Sequence, residues 1–167
     1  MSEDTVIHGQ VTDAREGRDA RVIARVSSGW VVFGQQQFLR GYALLLPDPV
    51  VGSLNALGTE ARAQFLLDMS KVGDALLRTT GAVRINYAIF GNIEPALHAH
   101  VIPRYADEPP AMRLATPWAY DWNSAPPFDA ESLQELAEQL RNELTRMGVA
   151  RAMRYVPGSR SDHGEVP

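Results

Sequence analysis

Two of the chain's four histidines, His98 and His100, lie two residues apart in a largely apolar run, Gly91-Asn92-Ile93-Glu94-Pro95-Ala96-Leu97-His98-Ala99-His100-Val101-Ile102-Pro103-Arg104. If that run is a strand, period-two alternation puts both imidazoles on one face and Leu97, Ala99 and Val101 on the other. Paired imidazoles can hold a divalent cation, or divide a displacement between them, one attacking while the other holds a charged oxygen. Neutral imidazole is available near neutral pH because its reference pKa is about 6.5. Gly91-Asn92 marks a turn, and Pro95 biases Glu94 toward extended geometry, so the run is entered abruptly past free backbone N–H groups that suit an anion. The same alternation places Glu94 on the histidine face, which leaves a His98/His100 metal site with Glu94 as a further ligand open as an alternative.

The stretch Ala96-Leu97-His98-Ala99-His100-Val101-Ile102 resembles the histidine triad pattern, His-φ-His-φ-His-φ-φ, in its last two histidines, and is followed by the Pro103-Arg104 common in that family. Ala96 stands where the first histidine would be. The resemblance spans roughly Ala20 to Tyr105. It implies a nucleotide hydrolase or nucleotidyl transferase that attacks the α-phosphorus of a nucleoside phosphoester, phosphoanhydride or phosphoramidate through a nucleotidyl-histidine intermediate. The nucleophile falls on His98, and His100 beside it would bond a phosphate oxygen or help protonate the leaving group. Asn86 and Asn92 match polar residues that contact the phosphate. Gln35 stands where the family usually carries an Asp or Asn near the ribose, Phe38 and Leu39 are candidate walls for a base, and Arg104 is a candidate for distal phosphates or else a strand-end charge. The resemblance further implies a purine nucleotide as substrate, a homodimer, and no cofactor or bound metal. The first triad histidine steadies the other two by hydrogen bonding, which alanine cannot do, so a nucleotide-binding module with little catalysis is the second reading. On that reasoning, Ala96→His should raise the rate if the pocket has room.

The elements that must carry these residues are legible from pattern. Arg21–Val26 and Trp30–Phe33 are β-branched and aromatic runs separated by Ser27-Ser28-Gly29, a hairpin. Gly41–Leu46 is almost continuously apolar and predicts a central strand buried on both faces. From Thr59 to Thr80, Ala61, Phe65, Met69, Val72 and Leu76 recur at helical spacing, with Thr59 as the cap and Gly81 as the stop. Ala82–Phe90 predicts a strand pairing antiparallel with the histidine strand. Past Tyr105 the chain turns Pro-rich and aromatic around Pro117-Trp118-Ala119-Tyr120-Asp121-Trp122; this loop packs over the sheet or a partner, or forms an aromatic lid over a base. Asp129 caps a final helix with the stripe Leu133, Leu136, Leu140 and Leu144. The fold class is therefore α+β, a mainly antiparallel sheet of about five strands flanked by two helices.

Length and composition fit one domain, residues 1–167, with its core at about 20–148, an irregular arm over 1–19 and a flexible tail over 149–167. The net charge of −4 gives no general attraction to a nucleic-acid backbone, so phosphate recognition would be local and a nucleic-acid partner is not expected. There is no cysteine, which removes disulfides, thiolate nucleophiles and cysteine-based zinc sites. The longest aliphatic run, Ala43–Leu46, is far too short to span a bilayer, so no membrane association is expected and a cytoplasmic protein is.

Overall fold

The computed structural model describes residues 5–150. In chain order the elements are α1 (Val6–Arg15), β1 (Val22–Val26), β2 (Gly29–Phe33), β3 (Ala43–Pro47), α2 (Thr59–Thr80), β4 (Arg84–Ile89), β5 (Ala99–Arg104), the short α3 (Pro110–Leu114) and α4 (Ala130–Arg146). The five strands make one antiparallel sheet in the order β1-β2-β3-β5-β4. The continuously apolar run becomes β3, buried at every position, because it sits mid-sheet with layers on both faces. The β1–β2 turn is held from outside the sheet, where the Asp68 carboxylate of α2 accepts from the Ser28 N–H at 2.8 Å and from its hydroxyl at 2.7 Å.

Period two sorts the sheet residues into two cores. On one face Phe33, Leu45 and Val101 pack against Phe65, Val72 and Leu76 of α2 and the leucine stripe Leu133, Leu136, Leu140 and Leu144 of α4. These two helices are the flanking pair expected from the pattern. Gly81 takes the left-handed conformation that ends α2, with φ of 72°, and Gly58 rather than Thr59 occupies the N-cap position. Asp129 caps α4 as expected, accepting from the Ser132 N–H.

The other face carries what the pattern did not reveal. Residues 6–15 form a regular helix where the sequence reading expected an irregular arm, and Ile7, Val11 and Ala14 are buried. Two interactions compensate for the poor helix formers Gly9, Thr12 and Asp13: the Thr5 N–H donates to His8 Nδ1 at 3.2 Å, and the Val6 N–H donates to the Glu94 carboxylate at 3.2 Å. Arg15 at the other end donates through Nε to Asp48 at 3.1 Å. The helix covers a second core containing Val32, Leu39, Tyr42, Leu44, Ala96 and Ile102. Val149 and Ala150, the first two residues of the expected tail, donate to the Leu144 carbonyl, and Ala150 bridges Val26. The rest of that tail lies outside the described residues. No helix among the described residues is long and apolar enough to cross a membrane.

Candidate active site

β5 positions His100 through its pairing: His100 stands opposite Leu44 on β3 and Ala88 on β4, and so faces the same side as Ile102 and Tyr42. His98 lies one residue before the strand begins, yet its ring meets His100 edge-on with centroids 4.9 Å apart. His98 is 8% exposed, and its Nδ1 lies 2.8 Å from the Ala96 carbonyl oxygen. A carbonyl only accepts, so Nδ1 must carry the hydrogen, and the neutral imidazole keeps its lone pair on Nε2. The nitrogen free for chemistry on His98 is thereby named. His100 Nδ1 is also occupied, at 2.7 Å from the Tyr42 hydroxyl. Burial, and then the neighbouring His98, push the His100 pKa down from 6.5 to about 4, so this imidazole is neutral at physiological pH.

Aromatic rings close over the pair. Trp118 stands edge-on to His100 at 5.3 Å, Phe90 lies 6.1 Å from it, and Trp118 meets Phe90 at 4.7 Å and Trp122 at 5.8 Å. The aromatic stretch thus packs over the histidine face of the sheet, the first of the expectations for it. Phe38 joins this cover, 4.1 Å from Trp122 and 5.1 Å from Tyr42. The Nε1 atom of Trp122 is buried without an acceptor among the described residues. Beside the cover opens a groove of about 830 Å³ lined by Asn86, Ala88, Phe90, Pro117 and Trp118, among others.

The remaining sequence candidates divide. Asn86 lines the groove, its Oδ1 taken by Arg104 Nη1 at 2.7 Å while its Nδ2 has no acceptor among the described residues. Asn92 is exposed in the 90–98 connection and makes no side-chain hydrogen bond among the described residues. Gln35 is not gathered with the histidines: its side chain is exposed and its carbonyl accepts from the Phe128 N–H at 2.7 Å. Leu39 is 7% exposed and belongs to the second core, so it is a packing residue rather than a pocket wall.

Arg104 is a correction. It is 6% exposed, and protein acceptors take every N–H: Glu108 binds Nε and Nη2, Met112 O binds Nη2, and Asn86 and Ala115 O bind Nη1. No donor remains for a distal phosphate. Burial pushes the Glu108 carboxyl up, but hydrogen bonds from Arg104, from the Tyr120 hydroxyl at 2.6 Å and from the Tyr105 N–H outweigh it and hold the carboxyl below its usual range. Burial and that bond to Glu108 raise the Tyr120 phenol to about 12. This buried network fastens the aromatic stretch to β5.

Glu94 corrects the metal alternative. Instead of sharing the histidine face, its two carboxylate oxygens accept from the N–H groups of Val6 and Ala96. No group of three histidine, aspartate or glutamate side chains able to hold a metal ion occurs among the described residues. Sequence reasoning also missed Tyr42, whose hydroxyl meets His100 58 residues on, and the Tyr120–Glu108 pair, 12 residues apart. Only Tyr42 carried a signal, as a polar-tipped ring in an otherwise aliphatic buried strand.

No protein-family model matches the chain, and no curated protein matches it significantly. Solved structures do. A histidine triad protein from Sinorhizobium meliloti superposes with a TM-score of 0.65 at 24% identity, over 79% of this chain and 95% of that one. One from Bradyrhizobium japonicum does so with a TM-score of 0.63 at 25% identity, over 78% and 94%. The chain has the histidine triad fold. More distantly, the diadenosine triphosphate hydrolase of Plasmodium falciparum, in complex with cyclomarin A, matches with a TM-score of 0.57 at 16% identity, over 77% of this chain and 78% of that one. Ala96, which stands at the first position of the histidine pattern read from the sequence, is enclosed. Ala96 is 2% exposed, in the core that α1 covers, so that position holds a packed methyl group and no hydrogen-bonding side chain.

Proposed function

We propose that the protein is a nucleotide hydrolase that cleaves at the α-phosphorus of a purine nucleoside phosphoester, phosphoanhydride or phosphoramidate. The observation that supports this most is the hydrogen bond from His98 Nδ1 to the Ala96 carbonyl, which leaves Nε2 of a buried imidazole bare beside a second imidazole held neutral. In the first step His98 Nε2 forms a bond to the α-phosphorus while the bond from phosphorus to the leaving group breaks, and the leaving group departs with that electron pair. The nucleotidyl-imidazolium so formed keeps its Nδ1–H on the Ala96 carbonyl, whose dipole stabilises the new positive charge. In the second step a water oxygen attacks phosphorus, the P–N bond breaks, the electron pair returns to Nε2, and a nucleoside monophosphate and a proton are released. Asn86 offers a neutral donor from the groove, and Trp118 and Phe90 offer faces for a base. The resemblance in fold to a diadenosine triphosphate hydrolase supports the choice of substrate class.

Self-association belongs to the same reading. β4 is a sheet edge with unpaired backbone groups, and Val83 just before it and Tyr87 on it are exposed, which suits pairing with a second copy of the chain.

The test is incubation with a panel of adenosine phosphoesters and phosphoramidates, with release of AMP followed. A denaturing quench with α-phosphate-labelled substrate should leave acid-labile label on wild-type protein and none on His98→Ala. A second reading, a nucleotide-binding module without turnover, is favoured by the aromatic cover and the enclosed Ala96. AMP binding with neither product nor labelled His98 would establish it and end the hydrolase proposal.

A further inference from the structure

Tyr42 is 3% exposed, and its position is fixed from several sides. Its carbonyl accepts from the Gly34 N–H and from Gln37 Nε2, both at 2.9 Å, and its own N–H donates to Leu39 O at 3.0 Å. The ring lies directly against Gly34, where a Cβ would come within 2.1 Å of Tyr42 Cε1, so glycine is what lets the ring lie there. Phe38 and the edge of Trp122 enclose it, and the ring runs nearly parallel to His100, with an interplanar angle of 10°. Everything about the residue delivers its hydroxyl to His100 Nδ1.

The direction of that hydrogen bond follows from accounting for every hydrogen. A phenol can donate or accept, and so can one nitrogen of a neutral imidazole. If Nδ1–H donated to the phenol oxygen, the phenol hydrogen would be left buried with no acceptor, because His100 is the only hydrogen-bond partner of the Tyr42 hydroxyl among the described residues. If the phenol donates, the one bond satisfies both its hydrogen and the Nδ1 lone pair. Burial pushes the phenol pKa up, so the hydrogen stays on oxygen throughout the physiological range.

We infer that Tyr42 is a positioning residue for the proposed hydrolysis: by donating to Nδ1 it fixes His100 as the tautomer with hydrogen on Nε2, the orienting part that no side chain at Ala96 can play. The two imidazoles are then held in opposite states. His98 presents a bare Nε2 that can attack, and His100 presents an Nε2–H that can donate to a phosphoryl oxygen but cannot compete as a nucleophile.

This inference rests on the proposed function for its effect on rate but not for its effect on the ring, and the experiment separates the two. Nitrogen-15 NMR of histidine-labelled protein near neutral pH should show His100 with Nε2 protonated and Nδ1 bare. Tyr42→Phe keeps the ring and removes the hydroxyl, and should redistribute that tautomer toward Nδ1–H while the His98 signals stay in place. On an adenosine phosphoramidate, kcat should fall by about ten- to a hundredfold with KM changed by no more than about twofold, the pattern of a lost orienting hydrogen bond. Hydrogen on Nδ1 of His100 in the wild type, or the same tautomer in Tyr42→Phe as in wild type, would overturn the inference. If wild type turns nothing over, the hydrolase proposal fails while the tautomer comparison still decides the role of Tyr42. If Tyr42→Phe does not fold, the wild-type tautomer decides it alone.

Discussion

His100 sits where burial and a second imidazole both oppose a positive charge, and that has a consequence for stability. The unfolded chain takes up a proton at the ordinary pKa of 6.5, whereas the folded chain does so only near 4. Between those values the unfolded state binds more protons, so stability must fall as pH falls. The contribution of neutral His100 is complete above about 6.5 and is progressively lost toward about 4, with a limiting slope of about 1.4 kcal/mol per pH unit. Urea melts at several pH values should show this slope in wild type, and His100→Asn should be measurably flatter across the same window. A second expectation at this scale reverses the one drawn from sequence. With Ala96 2% exposed in the core under α1, Ala96→His has no room, and overpacking should cost about 1–3 kcal/mol without raising any rate. Denaturant midpoints of the two proteins check it. A stable and faster Ala96→His variant would show that the enclosure yields.

Among the elements, the aromatic stretch that follows β5 is the one whose attachment is most specific. Arg104 reaches back from the end of β5 to Glu108 and to the carbonyls of Met112 and Ala115, and Tyr120 donates to the same carboxylate from the far side. Removing one member of a buried ion pair leaves the other uncompensated, so Arg104→Met should cost about 3–5 kcal/mol. Thermal unfolding measures this. Had Arg104 been a phosphate ligand, the same change would have raised KM and left the melting temperature in place. The stretch also carries its own reporter. Trp118 is 42% exposed and stands beside His100, so a nucleotide entering the site must contact or displace it. Intrinsic tryptophan fluorescence should change saturably with added AMP, and Trp118→Phe should abolish most of that change.

At the scale of the molecule, the sheet needs a layer on each face, because β3 is apolar on both sides and buried throughout. α2 and α4 supply one layer; α1 and the aromatic stretch supply the other. Deleting residues 1–15 should therefore destabilise the protein, not trim a loose end: loss of the Ile7 and Val11 burial alone amounts to about 3–6 kcal/mol. Chemical denaturation and increased binding of a hydrophobic dye would report it. An unchanged midpoint would mean that the second core holds without α1.

The elements whose reason is local were legible in the sequence: the β1–β2 hairpin, the buried β3, the stripes of α2 and α4 with the stop at Gly81 and the cap at Asp129, and the pairing of β4 with the histidine strand all follow from period, turn residues and caps. The two histidines on one face were equally a matter of alternation. What depended on distant partners was not legible. The helix at 6–15 is closed in part by Glu94, 88 residues from Val6, and the aromatic stretch is tied down where Tyr120 meets Glu108, 12 residues away. Arg104 itself, a motif residue by position, has all its donors taken inside the protein, and Tyr42 meets His100 only because β3 and β5 are neighbours in the sheet. Periodicity tells each side chain which face to take, but it carries no information about which other segment will be packed there. Only the tertiary structure buries Ala96 in the same core as the apolar face of α1, and puts Tyr42 at the nitrogen of His100.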